Sequence, residues 1–348
     1  MSVPFNPHGG DVYNRKIDID FSVSLNPFGM PQKVREAISK DIDNICKYPE
    51  YDKASLRNKL ANVLNIPENK IILTAGASEG FMSIVRAVNV KEAVLFTPCF
   101  SGYEYALNSM SVSINRYPIE QMESTQFEKG QLIFLANPNN PTGKCIDGAV
   151  LESLVKRAKD KECFVVIDEC FLPLSRKYNR SYVNLLRDTN IWTNVFIVRS
   201  FTKTFGMPGL RLGYIVTIND EIADKIERNL PEWNISSIAI TAGKAALECV
   251  DELDGARDLI EKEKLYMTKE LRKLNIEVFD SDTNFFLFRI SDELKSNSDD
   301  LLCKLINEGI LIRDCSNYYG LGPGYYRVSI KSHSENEELI KQCQSIYL

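Results

Sequence analysis

Histidine is nearly absent from this sequence: among 348 residues only His8 and His333 occur. The nine cysteines form no C-x-x-C pair, and none stands at ligand spacing from a histidine. No metal site is therefore expected, and an odd number of scattered thiols argues against a disulfide framework. Cys163 and Cys170, which flank an apolar run, read as small buried hydrophobes. A basic surplus is missing too: 42 Lys and Arg stand against 47 Asp and Glu, for a net charge of −5. That balance excludes a general nucleic-acid binder. No apolar run approaches bilayer length, and no basic region followed by an apolar one opens the chain. The expectation is a cytoplasmic protein with neither nucleic acid nor membrane as partner.

What is present is globular: 44% hydrophobic and 26% charged residues, enough for two domains. The first thirty or so residues, from Val3-Pro4-Phe5-Asn6-Pro7 to Asn26-Pro27-Phe28-Gly29-Met30-Pro31, read as extended. A helix follows Pro31, with Val34, Ala37, Ile38, Ile42 and Ile45 at helical spacing. A second runs through Leu56, Leu60, Val63 and Leu64. Then short apolar runs alternate with helical patterns: Ile71-Leu73, Val94-Phe96, Leu132-Leu135, Phe164-Ile167, Val195-Val198 and Gly213-Val216. Uninterrupted runs of this kind, separated by helices, predict strands buried on both faces of a mostly parallel sheet, an α/β fold. A helical stretch from about 236 to 273 follows. Strands are then predicted at Phe285-Phe288, Ile310-Ile312 and Tyr326-Ile330. The expected organisation is an arm and helix (1–45) serving the small domain and active site, a large domain (46–235), and a small α+β domain (236–348).

In such sheets ligands bind outside the carboxyl ends of the strands, so the polar residues there carry the chemistry. Lys203 follows the strand Phe196-Ile197-Val198, where a partly desolvated amine can condense with an aldehyde. Ser200 and Arg211 flank it and suit a phosphate dianion. Asp168 ends another strand, where a carboxylate can keep a pyridine nitrogen protonated and make the ring an electron sink. Asn140 lies in the turn Asn137-Pro138-Asn139-Asn140-Pro141-Thr142-Gly143 and can donate to a phenolate oxygen. Gly76-Ala77-Ser78 opens a helix, a ready phosphate site. Phe100 can stack on a ring. Singly, each has a bland reading as loop lysine, helix cap, turn or core aromatic. Jointly they do not.

With these residues the whole chain resembles the fold-type-I, pyridoxal-phosphate-dependent enzymes of the aspartate aminotransferase class, and the Asn-Asn-Pro-Thr-Gly and Ser-x-Thr-Lys…Gly-x-Arg-x-Gly motifs are specific. The resemblance implies a three-layer fold with a mostly parallel central sheet and a smaller α+β domain. It implies pyridoxal 5′-phosphate on Lys203 as a Schiff base, with Asp168 on the pyridine nitrogen and Asn140 near O3′. It places Ala77, Ser78, Ser200 and Arg211 on the phosphate, and Phe100 and Phe171 beside the ring. It also implies a homodimer with a shared active site, in which Tyr48 reaches the neighbour's cofactor phosphate.

Two subfamilies fit, both acting on a phosphorylated small amino acid or amino alcohol: threonine-phosphate decarboxylase of cobalamin biosynthesis and histidinol-phosphate aminotransferase. His8-Gly9-Gly10, the segment Asp20-Phe21-Ser22-Val23-Ser24-Leu25-Asn26-Pro27, and those around Arg313 and Arg327 resemble the decarboxylase. Phe171 replaces the Tyr that most aminotransferases of this class carry, removing a hydroxyl donor to O3′. The expectation is therefore decarboxylation of L-threonine O-3-phosphate, with serine phosphate as a further candidate substrate. Expected on the substrate are His8, Gly9, Asn26, Asn140, Arg313 and Arg327, with the anion taken by each arginine left open. A non-catalytic regulator built on this fold would carry a helix-turn-helix, for which no segment is seen.

Overall fold

The computed structural model describes residues 8–188, 192–291 and 301–347. The extended reading of Val3 to Pro7 lies outside the described residues. A short strand, β1 (Ile19–Asp20), comes first. It is followed by β2 (Ile71–Thr74), β3 (Glu92–Thr97), β4 (Ser113–Pro118), β5 (Leu132–Ala136), β6 (Phe164–Asp168), β7 (Val195–Ser200) and β8 (Gly213–Val216). β2 to β8 make one seven-stranded sheet in the order β2-β8-β7-β6-β5-β3-β4. It is parallel except for β8, which runs antiparallel to both neighbours. β4 escapes an apolar-run reading because its residues are half-buried or exposed and it closes one edge of the sheet.

The helices are α1 (Gln32–Asp41), α2 (Ala54–Leu64), α3 (Ala77–Val88), α4 (Ser101–Asn108), α5 (Gly148–Asp160), α6 (Tyr182–Asp188), α7 (Phe201–Thr204), α8 (Asp220–Arg228), α9 (Ser237–Ala246) and α10 (Leu253–Lys273). The helical stretch expected from 236 to 273 is broken by a turn at Val250–Glu252. Successive strand residues point to opposite faces, and two apolar clusters show the result. Ile133 and Leu135 of β5 pack with α2, α5, α9 and α10. Leu132 and Phe134 pack with Phe81 of α3, Tyr103 of α4 and Ile226 of α8. Both faces are covered, so the strands need apolar residues at every position.

The C-terminal part holds β9 (Glu277–Val278), β10 (Phe285–Arg289), β11 (Ile310–Leu311), β12 (Arg313–Asp314) and β13 (Tyr325–Ser329), with α11 (Leu301–Asn307) and α12 (His333–Tyr347). β12-β13-β10-β9 form an antiparallel sheet. β1 pairs in parallel with β11, which ties the N-terminal segment to the C-terminal one.

One buried ion pair holds the strand ends together. Glu169, fully buried just beyond β6, accepts from Arg199 of β7 at 3.0 and 2.7 Å and from Ser181 Oγ at 2.9 Å. Its other oxygen accepts from the Tyr182 backbone N–H at 2.8 Å. Breaking such a pair strands a buried charge. Glu169→Gln is expected to lower stability by about 3–5 kcal/mol, seen as a fall in the urea midpoint with an unchanged slope. A midpoint equal to that of the parent chain would refute it.

Candidate active site

The strand ends converge on a cavity of about 180 Å³ lined by His8, Ala77, Ser78, Phe100, Asn140, Asp168, Phe171, Ser200, Lys203, Arg211 and Arg327. Each reaches it for a local reason. β6 ends in Asp168 and β7 in Ser200, and α7 turns at once so that Lys203 faces back over the sheet. β2 runs through Gly76 into α3, whose first residues are Ala77 and Ser78. Gly76 has φ +82°, and a Cβ there would lie 2.9 Å from Arg211 Nη2. Only glycine lets that guanidinium lie against the start of α3.

Lys203 Nζ stands 5.7 Å from the centre of the Phe171 ring. Its pKa is pushed down to about 8, first by burial, then by the positive charge of Arg327 and, less, of Arg211. Asp168 is pushed above the usual carboxylate range by burial, and hydrogen bonds from Cys170 and Tyr103 work against that rise. Its Oδ1 accepts from the Cys170 backbone N–H at 2.9 Å and its Oδ2 from Tyr103 Oη at 2.7 Å. Asn140 Oδ1 accepts from Tyr318 Oη at 3.0 Å and from Arg327 Nη1. Arginine can only donate, so the amide oxygen must face Arg327 and the amide nitrogen is the end presented to a ligand.

Four expected residues stand apart. Arg313 lines a neighbouring cavity of about 600 Å³ that shares Phe100 and Tyr318 with the first. Tyr48 is 82% exposed and packs on Trp233, 4.9 Å between ring centres. Asn26 does not line the cavity. Its backbone N–H donates to the Lys203 carbonyl at 2.9 Å and its Nδ2 to the Thr204 carbonyl at 2.9 Å, so it braces α7 from below. Gly9 packs on Ser22, where a Cβ would lie 2.9 Å from Ser22 Oγ. His8 meets Phe100 edge-on at 6.0 Å, and its pKa is lowered by burial and then by Arg313.

Other residues of the site lacked a sequence signal strong enough to single them out. Val23, Thr202 and Tyr318 line the cavity; the last two lie beside Lys203 and Arg313, the cue that could have found them. Cys170 is buried as expected and also lines the cavity. Tyr103 stands behind Asp168, and nothing in its helix sets it off from a core aromatic. Among the described residues no cluster of potential ligands could hold a metal ion, and no helix is long and apolar enough to cross a membrane.

These residues fit pyridoxal phosphate. The Arg211 guanidinium sits at the positive end of α3, an arrangement that repels unless an anion joins it. Opposite lie a buried carboxylate for a ring nitrogen and an amine with a depressed pKa for an aldehyde.

Comparison with known proteins agrees. Residues 16–346 match the family described as aminotransferase class I and II. Threonine-phosphate decarboxylase of Salmonella typhimurium is 29% identical over 94% of this chain and 91% of its own length. Histidinol-phosphate aminotransferase of Methanosphaera stadtmanae is 28% identical over 92% of this chain and 88% of its own. The crystal structure of histidinol-phosphate aminotransferase from Clostridium acetobutylicum superposes with a TM-score of 0.84 at 27% identity, covering 94% of this chain and 99% of that one. The match spans nearly the whole length and the fold and cavity follow it, so this chain belongs to the class I and II aminotransferase family, a fold-type-I enzyme whose cofactor is pyridoxal 5′-phosphate.

Proposed function

We propose that this enzyme releases carbon dioxide from L-threonine O-3-phosphate and yields (R)-1-aminopropan-2-yl phosphate. The observation that carries the reading is a pair of buried arginines. Arg313 and Arg327 are Cα partners across β12 and β13, so their side chains leave the same face of the sheet. They are 6% and 5% exposed, and among the described residues neither has a carboxylate partner. Each also has a buried Nε with no hydrogen bond.

Buried charges are ordinarily paired. Two guanidiniums left without a counter-charge favour a dianion, and a phosphate monoester carries about −1.5 to −2 near pH 7. With both arginines on the phosphate, neither is left for the carboxylate on Cα. A carboxylate held without a cation loses little when it departs as neutral carbon dioxide, whereas one clamped by arginine loses its ion pair. His8, beside Arg313, adds an imidazole to the phosphate end.

Bound pyridoxal phosphate supplies the electron sink that accepts the pair left at Cα. Ser78, Ser200 and Arg211 anchor its phosphate, Asn140 Nδ2 donates to its phenolate oxygen, and Phe100 lies against its ring. Asp168 holds a proton on the ring nitrogen, and Lys203 Nζ returns one to Cα. Phe171 packs edge-on against Phe285 at 4.8 Å and presents no hydroxyl to the site. In this reading the enzyme is a homodimer in which exposed Tyr48, held by Trp233, serves the neighbour's cofactor. The arm (1–45), large domain (46–235) and small domain (236–348) are its working parts.

The loaded enzyme is expected to release carbon dioxide from threonine phosphate with no 2-oxo acid added, one per aminopropanol phosphate formed. Serine phosphate, lacking only a methyl, should be slower by about 10–200-fold. Formation of glutamate from 2-oxoglutarate and histidinol phosphate, with no carbon dioxide from threonine phosphate, would establish the aminotransferase reading instead.

A further inference from the structure

Behind the cavity wall, Tyr103 is fully buried and does not touch the cavity. Its ring is fixed on three sides: stacked on Phe134 at 5.1 Å and edge-on to Phe81 at 5.1 Å and Phe100 at 5.6 Å. Phenylalanine would fill that place as well. The hydroxyl needs another explanation, and its hydrogen bond is the 2.7 Å one to Asp168 Oδ2. A buried hydroxyl without a partner is costly, so a tyrosine here makes sense only together with that carboxylate.

The carboxylate depends on the hydroxyl in turn. Asp168 lies where the α3–α4 apolar cluster meets the cavity, and burial favours its neutral acid. A neutral acid there could not hold a proton on a ring nitrogen as an ion pair. Two hydrogen bonds favour the ionised form: the Cys170 backbone N–H on Oδ1 and Tyr103 on Oδ2. The other titratable groups around it are the Cys170 thiol, Glu169 and Lys203, with Cys99 nearer Tyr103. The Cys170 thiol is pushed well up by burial and Cys99 up to about 12, so both stay neutral. Glu169 opposes ionisation of Asp168. From α4, Tyr103 is therefore the polar group that acts on the carboxylate. Phe100 stands three residues earlier, one turn back on the same side, so a single helix start sets both a cavity wall and the donor behind Asp168.

We propose that Tyr103 is a positioning residue: its hydroxyl keeps Asp168 ionised and aimed, so that Asp168 can hold a proton on the cofactor's ring nitrogen. The inference rests on the role given to Asp168 above. The test loads the enzyme with pyridoxal phosphate carrying ¹⁵N in the ring and reads the nitrogen chemical shift at fixed pH. Tyr103→Phe is expected to move the signal toward the unprotonated position, a change of about one pH unit or roughly tenfold in the proton equilibrium. Fluorotyrosine at position 103, a stronger donor of nearly the same shape, should move it the other way, and it serves should the phenylalanine variant fail to fold. Asp168→Ala runs in parallel. If it moves the signal and neither change at 103 does, Tyr103 only packs and the inference fails. If Asp168→Ala leaves the signal in place, the role of Asp168 fails and this inference with it.

Discussion

Lys203→Ala is expected to lower carbon dioxide release from threonine phosphate by roughly 10²–10⁴-fold or more, the range for losing a positioned proton-transfer group. It should also end covalent capture of the cofactor. Borohydride treatment should add the cofactor's mass to the parent chain and leave the variant unmodified. The reason lies in the cavity. An ordinary lysine amine is almost wholly protonated near neutrality, and only the neutral form has the electron pair that attacks an aldehyde. Burial and the charge of Arg327 bring the Lys203 pKa down to about 8, so a useful fraction is neutral at physiological pH. The sign follows: the rate at which cofactor-free enzyme takes up pyridoxal phosphate should rise with pH and level off above about 8. An inflection near the ordinary lysine value would show that the desolvation is absent. A variant that keeps the parent's rate, or is still captured by borohydride, would remove Lys203 from the chemistry.

Much of this site was legible in the sequence because its geometry is local. Asp168 and Lys203 stand directly after apolar runs, and a strand buried on both faces puts whatever follows it at the sheet's carboxyl edge. The same logic located Ser200, Asn140 and the start of α3. What escaped depends on contacts between distant segments. Asn26 carried a motif that pointed to substrate, yet it holds the carbonyls of Lys203 and Thr204; a backbone partner that far along the chain leaves no trace in spacing. Tyr103 has the pattern of a core aromatic, and only the fold shows that a carboxylate waits at the end of its ring. Cys170 was read as structural from its apolar flank, but the chain bends after β6 and turns it onto the cavity. β4 went unseen because an edge strand with half-exposed residues needs no apolar run.

The two arginines show that limit most clearly, and they supply the second large effect. From sequence, the anion taken by each was open; the register of β12 against β13 makes them direct neighbours. Arg327 donates to Asn140 Oδ1 and to the Ser22 carbonyl at 2.8 Å, and Arg313 to Asn317 Oδ1 at 2.8 Å. These are neutral acceptors, so each guanidinium keeps its charge for a ligand. Arg327→Gln is expected to lower kcat/KM for threonine phosphate by about 2–5 kcal/mol, the loss found when one member of a desolvated charge pair is removed. The unliganded protein should lose little stability or gain some, because a buried charge without a counter-ion is costly. That contrast with Glu169→Gln, whose cost falls on folding, separates a binding charge from a structural one. The assignment to phosphate is tested by omitting the phosphate: with plain threonine, the slow release of carbon dioxide should be nearly the same in parent and variant. An equal loss on threonine would place Arg327 on the carboxylate. The argument that an unclamped carboxylate favours decarboxylation would then fall with it.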